Sequence, residues 1–406
     1  MKGIEKLMRK MEPKHDGKWA KFHPVWDGFY TFAFTPGETT IKGSHVRDGI
    51  DLKRTMFMVV TALIPCLLFG IYNTGHFHYV AETGNPDLAY MDMFGDKVIY
   101  GLIKVLPIVI VSYGVGLGVE FMFCIKNQHA IQEGFLVSGM LIPLIVPADT
   151  PLWMVAVATI FAVVLGKEVF GGTGMNIVNI ALTARAFLFF GYPTMMSGDK
   201  VWMSGIGDMH PDDVAEGVTG ATQLGELASF NGAQEDWVIQ GGLEAFQAKW
   251  SIMDSFWGFI PGSIGETSVA AILIGAALLL FTGIASWRIM LSFVAGGFFV
   301  GWLANVFGSN PYHMLEPINH LVIGGFAFGA VFMITDPVTA AQTNTGKFIY
   351  GFLGGALSIT VRVFNGAFPE GVMMAILFMN VMAPLIDHYV ISANIKRRKK
   401  RLKIKA

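Results

Sequence analysis

A threonine that could carry a cofactor lies in the one long polar loop of the chain. In the run Thr219, Gly220, Ala221 and Thr222, two hydroxyls flank two small residues. Gly220 and Ala221 would let a ligand or an enzyme approach the backbone closely. Taken alone the run is weak evidence, because small residues and hydroxyls are typical of any surface turn. Thr222 is therefore a candidate attachment residue that the rest of the chain has to support.

Two carboxylates beside apolar segments could bind a cation. Glu133 begins one apolar segment and Asp387 ends another. Carboxylates in such places are costly unless they are paired, hydrated or coordinating an ion, and oxygen ligands suit hard cations. The alternative is an interfacial residue at a helix end, with Glu133 also stabilising a helix N-terminus. The residues by themselves favour that alternative.

The composition predicts a membrane protein. Of the 406 residues, 53% are apolar and 15% are charged, whereas a soluble domain has about a quarter charged residues. The mean hydropathy is +0.52. With Cys66 and Cys124 as its two cysteines, the chain cannot hold an iron–sulfur cluster alone, and a disulfide framework is not expected. We expect no nucleic-acid partner.

Ten apolar segments predict an all-α polytopic fold, although some are shorter than the roughly 20 residues of a full crossing. The segments are Thr55–Tyr72, Val98–Phe123, Gly134–Val146, Leu152–Gly166, Ile177–Tyr192, Thr267–Trp287, Ile289–Phe307, Ile318–Thr335, Phe348–Val361 and Gly371–Ile386. They define five regions: an amphipathic arm (1–54), a first transmembrane repeat (55–192), an outer loop (193–266), a second repeat (267–391) and a basic tail (392–406).

The basic residues predict that both termini are cytoplasmic. Eleven of the 29 Lys and Arg residues lie in the first 54 positions and eight in the tail 396–406. Positive charge favours the inner side, and an even number of spans returns the chain to it. Five spans precede the long loop, so the loop and Thr222 should face the exterior. Arg362 is an exception, because the span count places it outside.

The arm before residue 55 is expected to contact the membrane surface. Ile4, Leu7, Met8 and Met11 form one helical stripe surrounded by lysine and arginine, a pattern typical of a helix lying among lipid headgroups. A helix docked on a partner subunit would show the same pattern. The arm lacks the apolar core of a signal peptide, so we expect no cleavage.

An internal similarity suggests two inverted repeats. The segment Lys167-Glu-Val-Phe-Gly-Gly172 follows the fourth span and Val361-Arg-Val-Phe-Asn-Gly366 follows the ninth. Each comes after a proline-interrupted stretch. Repeats of five spans insert with opposite orientations and place broken helices near mid-membrane, where such folds bind ligands. Chance similarity between glycine-rich apolar segments is the alternative.

Several motifs together resemble one bacterial family, the B subunits of the sodium-translocating NADH:quinone oxidoreductases. The motifs are Lys167-Glu-Val-Phe-Gly-Gly-Thr-Gly174, Ala184-Arg-Ala-Phe-Leu-Phe-Phe190, Pro261-Gly-Ser-Ile-Gly-Glu-Thr-Ser268, Thr335-Asp-Pro-Val-Thr339 and Asn394-Ile-Lys-Arg-Arg398. The resemblance runs from the arm to the tail. It implies one membrane component of a larger complex in the bacterial inner membrane, which passes electrons through flavins to quinone, coupled to sodium movement. NADH would be oxidised on another subunit.

The resemblance also implies particular cofactors. In that family a threonine of a Ser/Thr-Gly-Ala-Thr motif holds FMN through a phosphoester, which here falls on Thr222 with Thr219, Gly220 and Ala221 around it. A separate enzyme attaches the flavin. The family usually has Asp six positions before that threonine, where this chain has Glu216. Noncovalent riboflavin in the membrane part, quinone reduction on the inner side and sodium at Glu133 and Asp387 are further implications.

Two other functions remain possible from the sequence. The D subunit of the related Rnf complex shares the flavin-carrying threonine but passes electrons between ferredoxin and NAD. The arm before Thr55 favours the quinone enzyme, because the Rnf subunit is shorter there. A channel or transporter without redox activity is the other alternative, since inverted repeats with broken helices also build solute pathways.

Overall fold

The structure of the protein is a computed structural model. It describes residues 5, 8, 10–13, 17, 20–34, 40, 42–46, 52–84, 89–127, 134–199, 201–205, 220–229, 242–308, 311–365 and 371–405. Within these ranges the chain is helical and contains no strand, which confirms the predicted all-α fold class. Part of the predicted surface helix of the arm, including Ile4 and Leu7, lies outside the described residues.

In the first half of the chain, the helices whose bounds the structure describes are one in the arm and five apolar ones. These are α1 (His23–Ala33), α2 (Leu52–Thr83), α3 (Phe94–Asn127), α4 (Phe135–Leu144), α5 (Leu152–Gly166) and α6 (Ile180–Gly191), with single 3-10 turns at Ala20–Phe22 and Glu168–Phe170. The helix α2 continues well past Tyr72, where its predicted span ends. Asn73 and His76 in this extension are buried by neighbouring segments, so the polar residues do not end the helix.

Four short helices are described between the two apolar halves. They are α7 (Pro193–Met196), α8 (Gln223–Ser229), α9 (Gly242–Lys249) and α10 (Ile252–Trp257). Ser251 caps α10 by accepting a hydrogen bond from the Met253 N–H at 3.2 Å. Leu224, Leu227 and Phe246 are buried, so these helices pack against the rest of the protein.

The second half again contains long apolar helices, but one predicted span is broken. The elements are α11 (Val269–Phe281), α12 (Trp287–Phe307), α13 (Pro311–Met314), α14 (Pro317–Val322), α15 (Phe326–Phe328), a π-helical turn (Gly329–Met333), α16 (Asn344–Phe364) and α17 (Val372–Lys405). The break lies between α14 and α15, where Gly324 has φ +69°. This conformation is open to glycine but strained for other residues.

Six of the described helices are long and apolar enough to cross a membrane: α2, α3, α5 with the turn after it, α12, α16 and α17. The apolar helices α4, α6 and α11 are shorter. Each of the ten predicted segments thus contains helix, but four are short or interrupted. The third member is short or broken in each half, whereas the first and fifth members differ in length between the halves. The inverted repeat itself stays a prediction.

Small residues allow α12 and α16 of the second half to touch. A Cβ added to Gly296 of α12 would lie 2.1 Å from the Phe352 carbonyl oxygen, and one added to Gly355 of α16 would lie 1.9 Å from that of Phe293. Such contacts are the usual means of helix association in membranes, where hydrophobic burial drives helices together less than in water.

Buried charges in the membrane part have partners. The Lys167 ammonium at the end of α5 forms an ion pair with the Glu120 carboxylate of α3, and both side chains are 2% exposed. Arg362 is fully buried and its Nη1 donates to the His320 carbonyl oxygen at 2.6 Å. Neither basic residue is therefore a loop charge of the kind that sets membrane orientation.

Breaking the Lys167–Glu120 pair should destabilise the protein strongly. Lys167→Met leaves a carboxylate buried without its counterion, a change that costs about 3–5 kcal/mol. Adding Glu120→Gln should restore much of that loss. Thermal unfolding in detergent would measure both variants against Lys126→Met, an exposed position on α3. Equal stability of the single and double variants would contradict the ion pair.

Candidate functional site

Thr222 stands at the start of α8 with its side chain half-buried. Its Oγ1 accepts a hydrogen bond from the Gly225 N–H at 3.0 Å, and its carbonyl oxygen accepts one from the Glu226 N–H at 2.9 Å. Threonine is a common helix N-cap, and this geometry is the usual one. Gly220 is buried and Ala221 half-buried, whereas Thr219 and Glu216 lie outside the described residues.

The helix that follows Thr222 is tied to the membrane part. Gln223 donates from Nε2 to the Ser255 hydroxyl at 2.7 Å. The fully buried Tyr312 donates from its hydroxyl to the Leu224 carbonyl oxygen at 2.6 Å. Burial raises the pKa of the Tyr312 phenol, and the Arg362 charge lowers it by less, so the hydroxyl keeps its proton. These two hydrogen bonds therefore fix the helix that begins after Thr222 against Ser255 and Tyr312.

A second set of contacts connects α8 to α9. The Glu226 carboxylate accepts from Lys249 Nζ and from Trp250 Nε1, each at 2.8 Å. Lys249 is half exposed, so its ion pair contributes little to stability. The hydrogen bond from Trp250 is directional and orients the Glu226 carboxylate. Together with the bonds made by Gln223 and Leu224, these bonds make Thr222 part of a packed element.

A recess opens beside the Thr222 hydroxyl. It has an empty volume of about 410 Å³, and Trp202, Gln223, Ser263 and Gly324 are among its lining residues. Its floor carries an ion pair in which Arg185 Nη1 lies 2.7 Å from Glu266 Oε1. The Ser263 hydroxyl donates to the other oxygen of Glu266. The acidic charge is therefore neutralised, and the recess suits an uncharged polar group.

A second cavity lies between the two halves of the protein. Ser138, Asn179 and Thr335 give it a polar part, and Phe332 and Leu279 an apolar part. Asn179 Nδ2 is 3.4 Å from the Asp336 carboxylate, which also lines the cavity. The lining includes the short helix α4 and the segment 336–338 after the broken eighth span, so non-helical backbone faces the cavity.

Asp387 lies in α17, where its carboxylate caps the start of α16. Its Oδ2 accepts from the Gln342 N–H at 2.6 Å. Its Oδ1 accepts from the N–H and the hydroxyl of Thr343 at 3.1 and 2.5 Å. Thr343 in turn caps α16 through the Gly346 N–H at 3.1 Å. This arrangement is the helix-end role that the sequence left as an alternative to ion binding.

Glu133, the other candidate for a cation, lies outside the described residues. Within the described ranges, no group of three or more His, Cys, Asp or Glu side chains is placed to hold a metal ion. Sodium binding at Glu133 and Asp387 stays a prediction.

Sequence reasoning missed most residues that surround Thr222. Arg185, Ser263, Glu266 and Thr267 stand inside the motifs that carry the family resemblance. No local pattern indicated that these motifs meet Gln223, because they come from segments far apart in the chain. Their mixture of charged and hydroxyl side chains beside apolar spans was the available signal.

Known proteins similar to this chain support the resemblance. A model of the NQR2, RnfD, RnfE family matches residues 39–396. The B subunit of the Na(+)-translocating NADH-quinone reductase of Chromohalobacter salexigens is 45% identical over 98% of this chain and 97% of its own length. The proteins of the same name from Pseudomonas paraeruginosa and Haemophilus influenzae are 44% and 41% identical, again over 98% of this chain.

Tyr312→Phe should loosen the segment that contains Thr222. The change deletes one hydroxyl and leaves the Leu224 carbonyl buried without that donor, a loss of about 1–3 kcal/mol. Limited proteolysis should then cut the region between α7 and α10 faster than in the parent protein. Tyr389→Phe, at an exposed position on α17, is the matched control. Identical cleavage rates in all three proteins would show that this bond does not hold the segment.

Proposed function

Since the chain belongs to the NQR2, RnfD, RnfE family, we propose that it is the membrane subunit of a sodium-translocating NADH:quinone reductase and carries FMN on Thr222. The observation that carries this proposal is the half-buried Thr222 hydroxyl at the edge of a neutral, polar recess. When bound, FMN supplies reversible uptake and release of electrons. The chain's part is to hold it on α8, which Tyr312 and Ser255 fix to the membrane helices.

Thr222 has the geometry that attachment needs. Its oxygen already accepts one hydrogen bond from the Gly225 N–H, so the side chain is oriented before any cofactor arrives. The side chain is partly accessible, so an attaching enzyme can reach it. The small Gly220 and Ala221 before it leave room for that enzyme.

Noncovalent riboflavin is assigned by the same proposal to the cavity between the two halves. The cavity is lined by both polar and apolar side chains, as ligand sites usually are. Amide and hydroxyl groups of Asn179, Ser138 and Thr335 can hydrogen-bond a heterocycle, and Phe332 adds an apolar wall. Quinone is the electron acceptor on the inner side, and NADH is oxidised on another subunit.

The proposed setting is the bacterial inner membrane, with both termini cytoplasmic and the Thr222 segment outside. The burial of Arg362 supports this orientation, because this exception to the charge rule lies inside the protein and not in an outer loop. The attaching enzyme would then act on the outer face. The arm and basic tail would contact lipid or other subunits on the inner face.

The near full-length similarity to B subunits of the quinone reductase favours this enzyme over the D subunit of an Rnf complex, which the family model also covers. An experiment can distinguish the proposed redox subunit from a channel. A flavin spectrum that survives denaturation of the chain would be incompatible with a channel that carries no cofactor.

Thr222→Ala should abolish the in-gel flavin fluorescence of the denatured subunit. This variant also loses the helix cap, which costs about 1 kcal/mol. Thr222→Asn is therefore the better variant, since its side-chain oxygen can still accept from the Gly225 N–H but cannot form the phosphoester. Thr282→Ala, at an exposed threonine after α11, should remain fluorescent. Fluorescence at parental strength in the Asn variant would refute attachment at Thr222.

Ion coupling is proposed to involve Asp387 and Glu133. Asp387→Asn keeps the size and one acceptor oxygen while it deletes the charge. If the carboxylate helps to bind sodium, the sodium concentration for half-maximal quinone reduction should rise while covalent FMN content stays constant. Glu133→Gln should act in the same direction.

The hydrogen bonds to Gln342 and Thr343 define the competing outcome for Asp387. A purely capping role predicts a modest loss of thermal stability, about 1 kcal/mol, and an unchanged sodium titration. Glu316→Gln, at an exposed carboxylate before α14, is the control for general charge effects. If Asp387→Asn, Glu133→Gln and the parent need the same sodium concentration for half-maximal quinone reduction, these residues are not part of the ion path.

A further inference from the structure

Two basic residues lie near each other where the helices α12 and α16 begin. Arg288 is in the first turn of α12 and Lys347 in the first turn of α16. The Ser292 hydroxyl lies 2.7 Å from the Arg288 carbonyl oxygen and 3.4 Å from that of Lys347, so the two backbones are neighbours. Within the described ranges, neither basic side chain forms an ion pair with a carboxylate.

The charge around Arg288 and Lys347 is one-sided. Neither helix has an acidic residue in its first turn. The Asp387 carboxylate lies beside the start of α16, but it is occupied by hydrogen bonds from Gln342 and Thr343. The helix α17 continues from Asp387 into the basic tail, so this end of the helices also carries the largest cluster of lysine and arginine. An anion is therefore favoured at this end of α12 and α16.

An aromatic pair lies directly beside the two charges. The Arg288 guanidinium is over the Trp287 ring, 5.2 Å from its centroid. Trp287 meets Phe348 of α16 in a T-shaped contact with ring centroids 5.9 Å apart. Cation–π and edge-to-face contacts both have preferred geometries, so they orient the guanidinium and the rings. Trp287 is 51% exposed, and exposed tryptophan beside basic residues is typical of the membrane–water interface.

An exposed apolar surface continues from Trp287 along the two helices. Leu291 and Phe298 are exposed on the same face of α12 as Trp287. Farther along, Phe299 of α12 contacts Phe352 of α16 with ring centroids 5.9 Å apart. From Trp287 to Phe298 the helix rises by about 16 Å, close to the roughly 15 Å that one leaflet contributes to the hydrocarbon core. The surface thus has the length of one acyl chain in its leaflet.

We propose that this surface of α12 and α16 binds one anionic phospholipid, with Arg288 and Lys347 at its phosphate and an acyl chain along Leu291 and Phe298. Arginine can bind a phosphate through two parallel N–H donors, and lysine can extend its apolar stem to bring its ammonium to the same group. A zwitterionic headgroup would add a third positive charge to the site. The inference goes beyond the proposed redox function and needs only the membrane setting of the two helices.

Quenching of Trp287 fluorescence by brominated lipids tests the proposal in the purified complex. The complex is placed in phosphatidylcholine nanodiscs that contain increasing fractions of phosphatidylglycerol or phosphatidylcholine with brominated acyl chains. The signal of Trp287 is the difference between the parent and Trp287→Phe, which keeps an aromatic ring against Phe348. We expect brominated phosphatidylglycerol to quench this signal at lower fractions than brominated phosphatidylcholine, because the site prefers a lipid of net negative charge.

Charge variants, each measured with and without Trp287→Phe, identify the residues that select the lipid. Arg288→Gln and Lys347→Gln should each lower the preference for phosphatidylglycerol about five-fold, the effect of one basic residue at a membrane surface. Arg288→Lys keeps the charge and should retain more of the preference. Lys396→Gln, at an exposed position in the basic tail, is the matched control and should leave it unchanged. If Arg288→Gln fails to fold, Lys347→Gln decides.

Three results would overturn the proposal. Equal quenching by the two brominated lipids would show that the surface contacts ordinary boundary lipid without selecting its charge. No quenching by either lipid would show that another subunit covers the surface in the complex. A loss of preference in Lys396→Gln as large as that in Arg288→Gln would show that the total positive charge attracts the lipid and that α12 and α16 form no site of their own.

Discussion

The rule that buried backbone groups need partners determines how the Thr222 region is built. The short helix α4 ends at Leu144 inside the protein, where its last carbonyls have no partner within the helix. The Gly265 N–H donates to the Leu144 carbonyl oxygen at 2.7 Å, and the Ile264 nitrogen lies 3.4 Å from the Val146 carbonyl oxygen. The segment before α11 is thus joined to the end of α4. Because Ser263 and Glu266 belong to this segment, the floor of the recess is a consequence of ending a helix inside the protein.

Charges in the interior obey the same requirement. Glu120 pairs with Lys167, and Glu266 pairs with Arg185. Each pair joins two helices or segments from different parts of the chain and so fixes their relative positions. Removing one partner would leave a buried charge unpaired and would strongly destabilise the protein. In the recess this has a chemical effect, because a neutralised Glu266 no longer repels an electron-rich cofactor. A structural ion pair thereby sets the polarity of the candidate site.

Local patterns predicted the helices well and their interactions poorly. Hydropathy located all ten apolar segments, since each segment's character lies in consecutive residues. It ended α2 at Tyr72 because Asn73 and His76 are polar, although tertiary contacts bury them. It also placed Arg362 in an outer loop, whereas the side chain lies inside the protein. The motif at Thr222 was visible in sequence, but Ser255, Tyr312 and Glu266 come from distant segments and meet the Thr222 region only through folding. No local pattern encodes such a meeting.

The hydrogen bonds of Asp387 limit how its carboxylate could bind a cation. A carboxylate has about four lone-pair positions, and the Gln342 and Thr343 donors use three of them. A cation at this residue would share oxygens that now cap α16, and a hard cation needs more oxygen ligands than one carboxylate supplies. Ion binding there would therefore draw in the loop before α16 as well. That loop follows Asp336, which lines the cavity between the two halves, so a cation at Asp387 would use backbone groups that lie close in sequence to the wall of the cavity.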